Sequence, residues 1–389
     1  MPFATEPVLK SLKTHRDMLH ALRERILANA VMLGEIPAPT FGEARRVRFL
    51  CDRFAENELL NISSDEAGNG TALLPGTKGD RKILLVAHTD TVFASGIDHT
   101  VRVGVNRLEG PGIADNSLGL AVISTLPYIL KRLGVQLESD LVLLGASKGT
   151  GRGNLAGLRF FLENCKLPLH AGVCVEGVHR GRLSYSCLGM MRAEITCHAH
   201  SDSEWDNSGG VSAIANMTQV LARLLALPRP QVPKTFIILG SLNAGTAFNT
   251  RATNATLQLE VRSEDADVVN GLTRSIGELL EEISVETGTR NEMEIIARRD
   301  PGGIGFHHPL VKITREIMEM LKIRPKIAPS VGELSALISK RIPAITLGIT
   351  RGGKVHEFSE YVEIETMFAG IAQLVGVIQA IDGGICDEH

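Results

Sequence analysis

Three side chains able to bind a cation, a proton or a charged ligand stand directly after apolar runs. His88 follows residues 83–87, Glu176 follows residues 171–175, and Lys148 lies just past residues 141–146. Imidazole and carboxylate together suit Zn, Mn or Co. A histidine alone at a strand end is usually satisfied by an ordinary hydrogen bond; three converging strand ends carry more weight. In His88-Thr89-Asp90-Thr91-Val92, strand alternation points His88 and Asp90 the same way, which lets Asp90 orient the imidazole. The turn-rich stretch Gly110-Pro111-Gly112-Ile113-Ala114-Asp115-Asn116 delivers Asp115 just before a helical pattern, where a helix N-cap is the plainer role. Gly352-Gly353-Lys354-Val355-His356-Glu357 places His356 in a loop after the last apolar run.

Elements able to position these groups follow from the pattern. Leu9, Leu12, Leu19, Leu22 and Ile26 recur near helical spacing. Thr40-Phe41-Gly42-Glu43 has the form of a capping box ahead of a face marked by Val47, Leu50 and Phe54. Apolar runs at 83–87, 141–146, 171–175 and 344–349 alternate with helical patterns near 118–133, 154–164 and 364–381. Strands buried on both faces between helices predict an α/β fold with a doubly wound, largely parallel sheet. In such sheets ligands bind beyond the carboxyl ends of the strands. The middle differs: strand 191–197, helix 211–227, strands 235–239 and 255–261, helix 265–286 and strand 293–297 form β-α-β-β-α-β, the ferredoxin-like order. Residues 1–188 and 301–389 are therefore expected to form one domain and residues 189–300 an inserted α+β domain.

Composition narrows the function. The chain has 389 residues and a formal net charge of −3, so no global basic field is present to hold nucleic acid. Aromatic residues at 4 % also argue against base stacking. No signal peptide or membrane-spanning run is read, and none of the six cysteines forms a CxxC pair. These features predict a cytoplasmic protein with reduced thiols and no membrane partner.

The motifs together resemble the M20 family of dinuclear zinc aminoacylases and peptidases, whose members include carboxypeptidases, deacetylases and tripeptidases. The segments that carry the resemblance are His88-Thr89-Asp90-Thr91-Val92, residues 110–119, and Cys174-Val175-Glu176-Gly177. Gly245-Thr246-Ala247-Phe248-Asn249, Val261-Arg262-Ser263, and His356 with Glu360-Tyr361-Val362 complete it. It covers nearly the whole chain in the family's order. It implies a divalent metal, Asp115 as the carboxylate bridging two ions, His88 and Glu176 completing one site, His356 serving the other, and Asp90 orienting His88. It also implies an inserted lid that mediates dimerisation, in which Asn249 and Arg262 match substrate-contacting positions, with a structural salt bridge the equal alternative for Arg262. His200 would assist the oxyanion, with His198 competing for that role. The expected partner is a small peptide or N-acyl amino acid.

One stretch departs from the family. Its middle motif carries two adjacent glutamates, a general base and a metal ligand, and here Ser147-Lys148-Gly149-Thr150 places Lys148 and Gly149 in their positions. Gly332-Glu333-Leu334-Ser335 is a lesser departure from a motif that often carries Asp. Protonated Lys148 is neither base nor ligand, and Gly149 offers no ligand side chain. One tightly held ion at His88, Asp115 and Glu176 is therefore expected rather than two, with weak or altered hydrolysis; a catalytically inactive binding protein is the alternative. The Lys148 ammonium is expected beside Asp115 and His356, standing in for the missing ion. A rival reading takes Gly151-Arg152-Gly153-Asn154-Leu155-Ala156 as a G-x-G-x-x-A phosphate turn, with Glu176 as the ribose-binding acid.

Overall fold

The computed structural model describes residues 5–199 and 211–387. These group into two compact units: Met1–Ser186 with Gly303–His389, and Cys187–Gly302.

In the first unit an eight-stranded sheet runs in the order Leu60–Ser64, Gly70–Leu74, Asp140–Ala146, Lys82–His88, Leu169–Glu176, Ala344–Gly348, Arg182–Ser184, Lys326–Ile327. Its four central strands are mutually parallel. Alternation divides each strand between two cores: Ile83, Leu85 and Ala87 enter one, and Leu84 and Val86 the other. Helices Leu118–Leu133 and Met367–Asp382 supply the first core, and helix Leu334–Ser339 the second. Burial on both faces explains why the central strands appear as unbroken apolar runs. Ile113–Leu133, the stretch among the described residues long and apolar enough to cross a membrane, is 89 % buried as this core helix.

A small separate sheet joins Gly352–Gly353, Tyr361–Glu363, Arg107–Glu109 and Arg102–Val103. Its strands are two or three residues long, too short to show any periodicity. It pins the loop bearing His356 to the turn bearing Asp115, since Tyr361 pairs with Glu109 and the Gly110 amide donates to the Glu360 carbonyl at 3.0 Å.

The second unit orders its strands Thr235–Ala244, Asn254–Ser263, Gly189–His198, Arg290–Arg299, all antiparallel, with helices Ala213–Ala226 and Ala266–Thr287 packed in its core. Element order and strand order are those of a ferredoxin-like unit.

The capping-box expectation fails in detail. Helix Ala44–Glu56 begins without a side-chain cap. Thr40 Oγ1 instead donates to Asp90 Oδ2 at 2.7 Å, and Glu43 Oε1 accepts the Lys148 amide at 2.8 Å. Both side chains hold the loop beyond the Asp140–Ala146 strand.

Candidate metal centre

His88 is the last residue of its strand, opposite Ala146, and Glu176 ends the neighbouring strand, opposite Gly348. Asp115 enters from the turn ahead of helix Leu118–Leu133. Its Oδ1 lies 2.8 Å from His88 Nε2 and its Oδ2 lies 2.9 Å from His356 Nε2. One carboxylate thus addresses two imidazoles, one through each oxygen. Ligand atoms of His88, Asp115 and Glu176 all lie within 4.8 Å of one another.

Burial and charge act against one another at each of these groups. Burial alone would lower the His88 pKa, but the charge and hydrogen bond of Asp115, with the nearby Asp90 carboxylate, raise it well above 6.5. Burial raises Asp115, yet the His88 charge and the His356 and His88 hydrogen bonds hold it far below the usual carboxylate range. Glu176 is pushed up to about 7 by burial and by the Asp115 and Glu333 charges, against Arg182 and His88. Arg182 approaches Glu176 only to 3.9 Å. The donor set fits a divalent ion. His88 Nδ1 is committed to a carbonyl, leaving Nε2 to face Asp115, and neutral imidazole with two carboxylates is an ordinary ligand set.

Asp90 orients His88 differently from expectation. His88 Nδ1 donates to the Asp90 backbone carbonyl at 2.9 Å, while the nearer carboxylate oxygen is 3.6 Å away. The carboxylate itself accepts the Gly149 amide at 2.9 Å, the Thr150 amide and hydroxyl at 2.8 Å each, and the Thr40 hydroxyl at 2.7 Å. Burial opposes its charge, but His88 and these donors hold its pKa far below the normal value. Asp90 therefore ties the Lys148–Gly149–Thr150 loop to the histidine strand.

Lys148 is not the stand-in cation. Its φ of +54° turns it in the left-handed region, and it lines a groove with Phe41, Glu43, Asp65 and Glu66. The cationic groups acting on Asp115 are His88 and His356. Gly149 does face the centre: a Cβ there would stand 2.9 Å from Asp90 Oδ1 and 3.0 Å from His88 Cβ. Any side chain at 149 requires those groups to move.

The nucleotide reading also fails. The amides of Gly153, Leu155, Ala156 and Gly157 are bonded to the carbonyls of Thr150, Gly149, Lys148 and Ser147, so they are not presented to a pyrophosphate. Asn154 and Leu155, both at positive φ, separate the glycine turn from helix Ala156–Asn164.

In the second unit, Arg262 is paired with Glu260, which Arg192 also engages. Asn249 is exposed in a turn. His198 Nδ1 contacts Asn254 Oδ1 at 2.7 Å; His200 lies outside the described residues.

Two buried groups carry roles that the sequence reading did not assign. Glu360 is fully buried and accepts the amides of Ala114 at 2.9 Å, Asp115 at 3.4 Å and His356 at 3.0 Å. It fixes the backbone of both groups that meet at the Asp115 carboxylate. Arg46, also fully buried, donates to the Ile36 carbonyl twice and to the Thr89 carbonyl at 3.1 Å, anchoring the residue between His88 and Asp90. Burial pushes its pKa down to about 10, against the charges of Asp90, Glu360 and Glu43. Helical periodicity marks Arg46 as an ordinary charged position, so only its neighbour Val47 signalled a buried face. Arg46→Met leaves these carbonyls without donors and is expected to cost about 3 kcal/mol, measured as a shift in urea midpoint. A change below about 0.5 kcal/mol would show that the three bonds contribute little.

Histidines and carboxylates gather beyond the carboxyl ends of a doubly wound, largely parallel sheet, where α/β proteins bind their ligands. The chain belongs to Peptidase family M20/M25/M40, whose family model matches residues 84–380. It is 22 % identical over 375 residues to the uncharacterized protein YqjE of Bacillus subtilis (strain 168), spanning 92 % of this chain and 98 % of that one. Among solved structures, a tripeptidase of Staphylococcus aureus superposes with a TM-score of 0.74 at 20 % identity, over 92 % of this chain and 98 % of that one. The YXEP protein of Bacillus subtilis, described as a dinuclear metal-binding peptidase of the M20 family, superposes with a TM-score of 0.62 at 16 % identity, over 92 % and 99 %.

Proposed function

We propose that this protein is a metal-dependent hydrolase of amide bonds in small peptides or N-acyl amino acids. The observation that carries the reading is Asp115, held between His88 and His356 with Glu176 beside it. A divalent cation there supplies Lewis acidity toward the amide carbonyl and toward water. The chain's own residues position the groups that would hold it. The Asp90 carbonyl fixes the His88 ring, Glu360 fixes the backbone of Asp115 and His356, and Glu176 faces the same point as His88. One tightly held ion, most simply zinc with manganese or cobalt as substitutes, fits His88, Asp115 and Glu176; Asp115 with His356 alone offers too few ligands for a second.

Relatives of known activity act on short peptides, which supports the substrate class. Asn249 is proposed as a substrate contact, whereas Arg262 already has its partner in Glu260. The edge strand Thr235–Ala244 leaves Phe236, Ile238 and Leu242 about half exposed and is the proposed homodimer surface. The six unpaired cysteines suit a reducing cytoplasm.

The test is hydrolysis of a dipeptide, tripeptide and N-acyl amino acid panel by Zn-, Mn- and Co-reconstituted protein, with metal counted per chain. The expected result is turnover that disappears on chelation and returns with metal, at one equivalent bound tightly. Asn249→Ala should raise KM with metal content unchanged. Metal uptake without turnover on any of the three classes would favour the non-catalytic binding protein instead.

A further inference from the structure

Glu333 is 6 % exposed, and among the described residues its carboxylate accepts no hydrogen bond and joins no ion pair. It is also held in place, because it directly precedes helix Leu334–Ser339, whose Leu334 and Leu337 are fully buried in the second core. Its direction is specific. Oε1 lies 3.5 Å from the point where a Cβ on Gly149 would stand, which is the point 3.0 Å from His88 Cβ and 2.9 Å from Asp90 Oδ1. The Glu333 charge is felt by His88, by Glu176 and by Cys174, two residues before Glu176 on the same strand.

Glu176 therefore feels two further acidic groups, Asp115 and Glu333, against the imidazoles of His88 and His356, both bonded to Asp115, and a distant Arg182. We propose that Glu333 is a fourth protein group of the metal centre, facing the cation of His88, Asp115 and Glu176 from beside Gly149. The inference rests on the metal-binding reading above. It accounts for two departures together: the chain lacks a ligand side chain at 149, and an acid from a distant segment ends 3.5 Å from where that side chain would begin. It also concentrates the donors on one side of Asp115, giving one strong site in place of two balanced ones.

The experiment is calorimetric titration of metal-free protein with Co²⁺, with visible Co²⁺ absorption and thermal unfolding recorded alongside. Wild type, Glu333→Gln and Glu333→Ala are compared, and His88→Ala marks loss of the site. Both Glu333 variants should bind Co²⁺ about 10–100-fold more weakly, with an altered visible spectrum and a smaller Co²⁺-induced rise in Tm. Their metal-free Tm should equal or exceed that of wild type, because no hydrogen bond or ion pair of Glu333 is lost. Unchanged Co²⁺ affinity and spectrum would overturn the proposal, and a lowered metal-free Tm with unchanged affinity would assign Glu333 to packing. A wild type that takes up no Co²⁺ would overturn the metal reading itself and this inference with it.

Discussion

Asp115→Ala is expected to leave a folded protein that retains no divalent cation and whose kcat/KM on peptide substrates falls by about 10³–10⁴-fold. No other described side chain addresses both His88 and His356, at 2.8 and 2.9 Å. Without it the cation loses a charged ligand, and the two imidazoles lose the anion that raises their pKa values. His356 would lose its side-chain partner, while His88 would stay held through its Nδ1 on the Asp90 carbonyl. The backbone should stay in place, because Glu360 holds the amides of residues 114 and 115 irrespective of the side chain at 115. Asp115→Asn separates charge from shape: it keeps both contacts sterically but is expected to lose metal nearly as completely. Elemental analysis after dialysis and steady-state kinetics check both variants. Asp115→Ala with wild-type metal content would move the centre away from this carboxylate.

His88 and Glu176 were legible in the sequence because each follows an apolar run, and an apolar run buried on both faces announces a central parallel strand. Asp115 was legible from its turn, and the insertion from the change of element order. The approach of His356 to Asp115 was not derivable from pattern, since strands of two and three residues bring it there; only the family resemblance placed it. Thr40 and Glu43 were misread for a physical reason. Hydroxyl and carboxylate satisfy whichever partner arrives, and here those partners are the Asp90 carboxylate and the Lys148 amide rather than the helix's own first turn. That Lys148 would line a groove with Glu43 and Asp65 depends on how its loop meets helix Ala44–Glu56, which a lysine does not advertise. Glu333 was visible as a letter in a motif, but its burial against His88 depends on where helix Leu334–Ser339 docks.

The metal-free protein is expected to lose stability as pH rises from about 5 to 8, and the metal-loaded protein is not. Glu176 and Glu360 each titrate at about 7 in the fold, against 4.5 when unperturbed. Burial is the main cause for both, with the Asp115 charge adding to it. Between those values the unfolded chain releases protons that the native chain keeps, so rising pH favours the unfolded state. For Glu176 alone the loss is about 3 kcal/mol across the window. His88 and His356 act in the same direction: their folded pKa values are raised, so their contribution is complete below 6.5 and is lost as pH rises through the folded value. Solvent screening makes His356 the smaller of the two, since 56 % of its side chain is exposed. Asp90 and Asp115 are depressed, so their contribution is lost only in strong acid and is constant across this range. A cation binds the deprotonated forms of His88 and Glu176 and displaces their protons, so its stabilisation grows over the same interval. In EDTA, Tm should fall by roughly 5–10 °C between pH 5.5 and 8, and added Zn²⁺ or Co²⁺ should recover more of it at pH 8 than at pH 5.5. A Tm in EDTA that is flat or rising across this range would show that these carboxylates ionise in the fold without penalty, and the convergence of acids at this centre would then exert no demand for a cation.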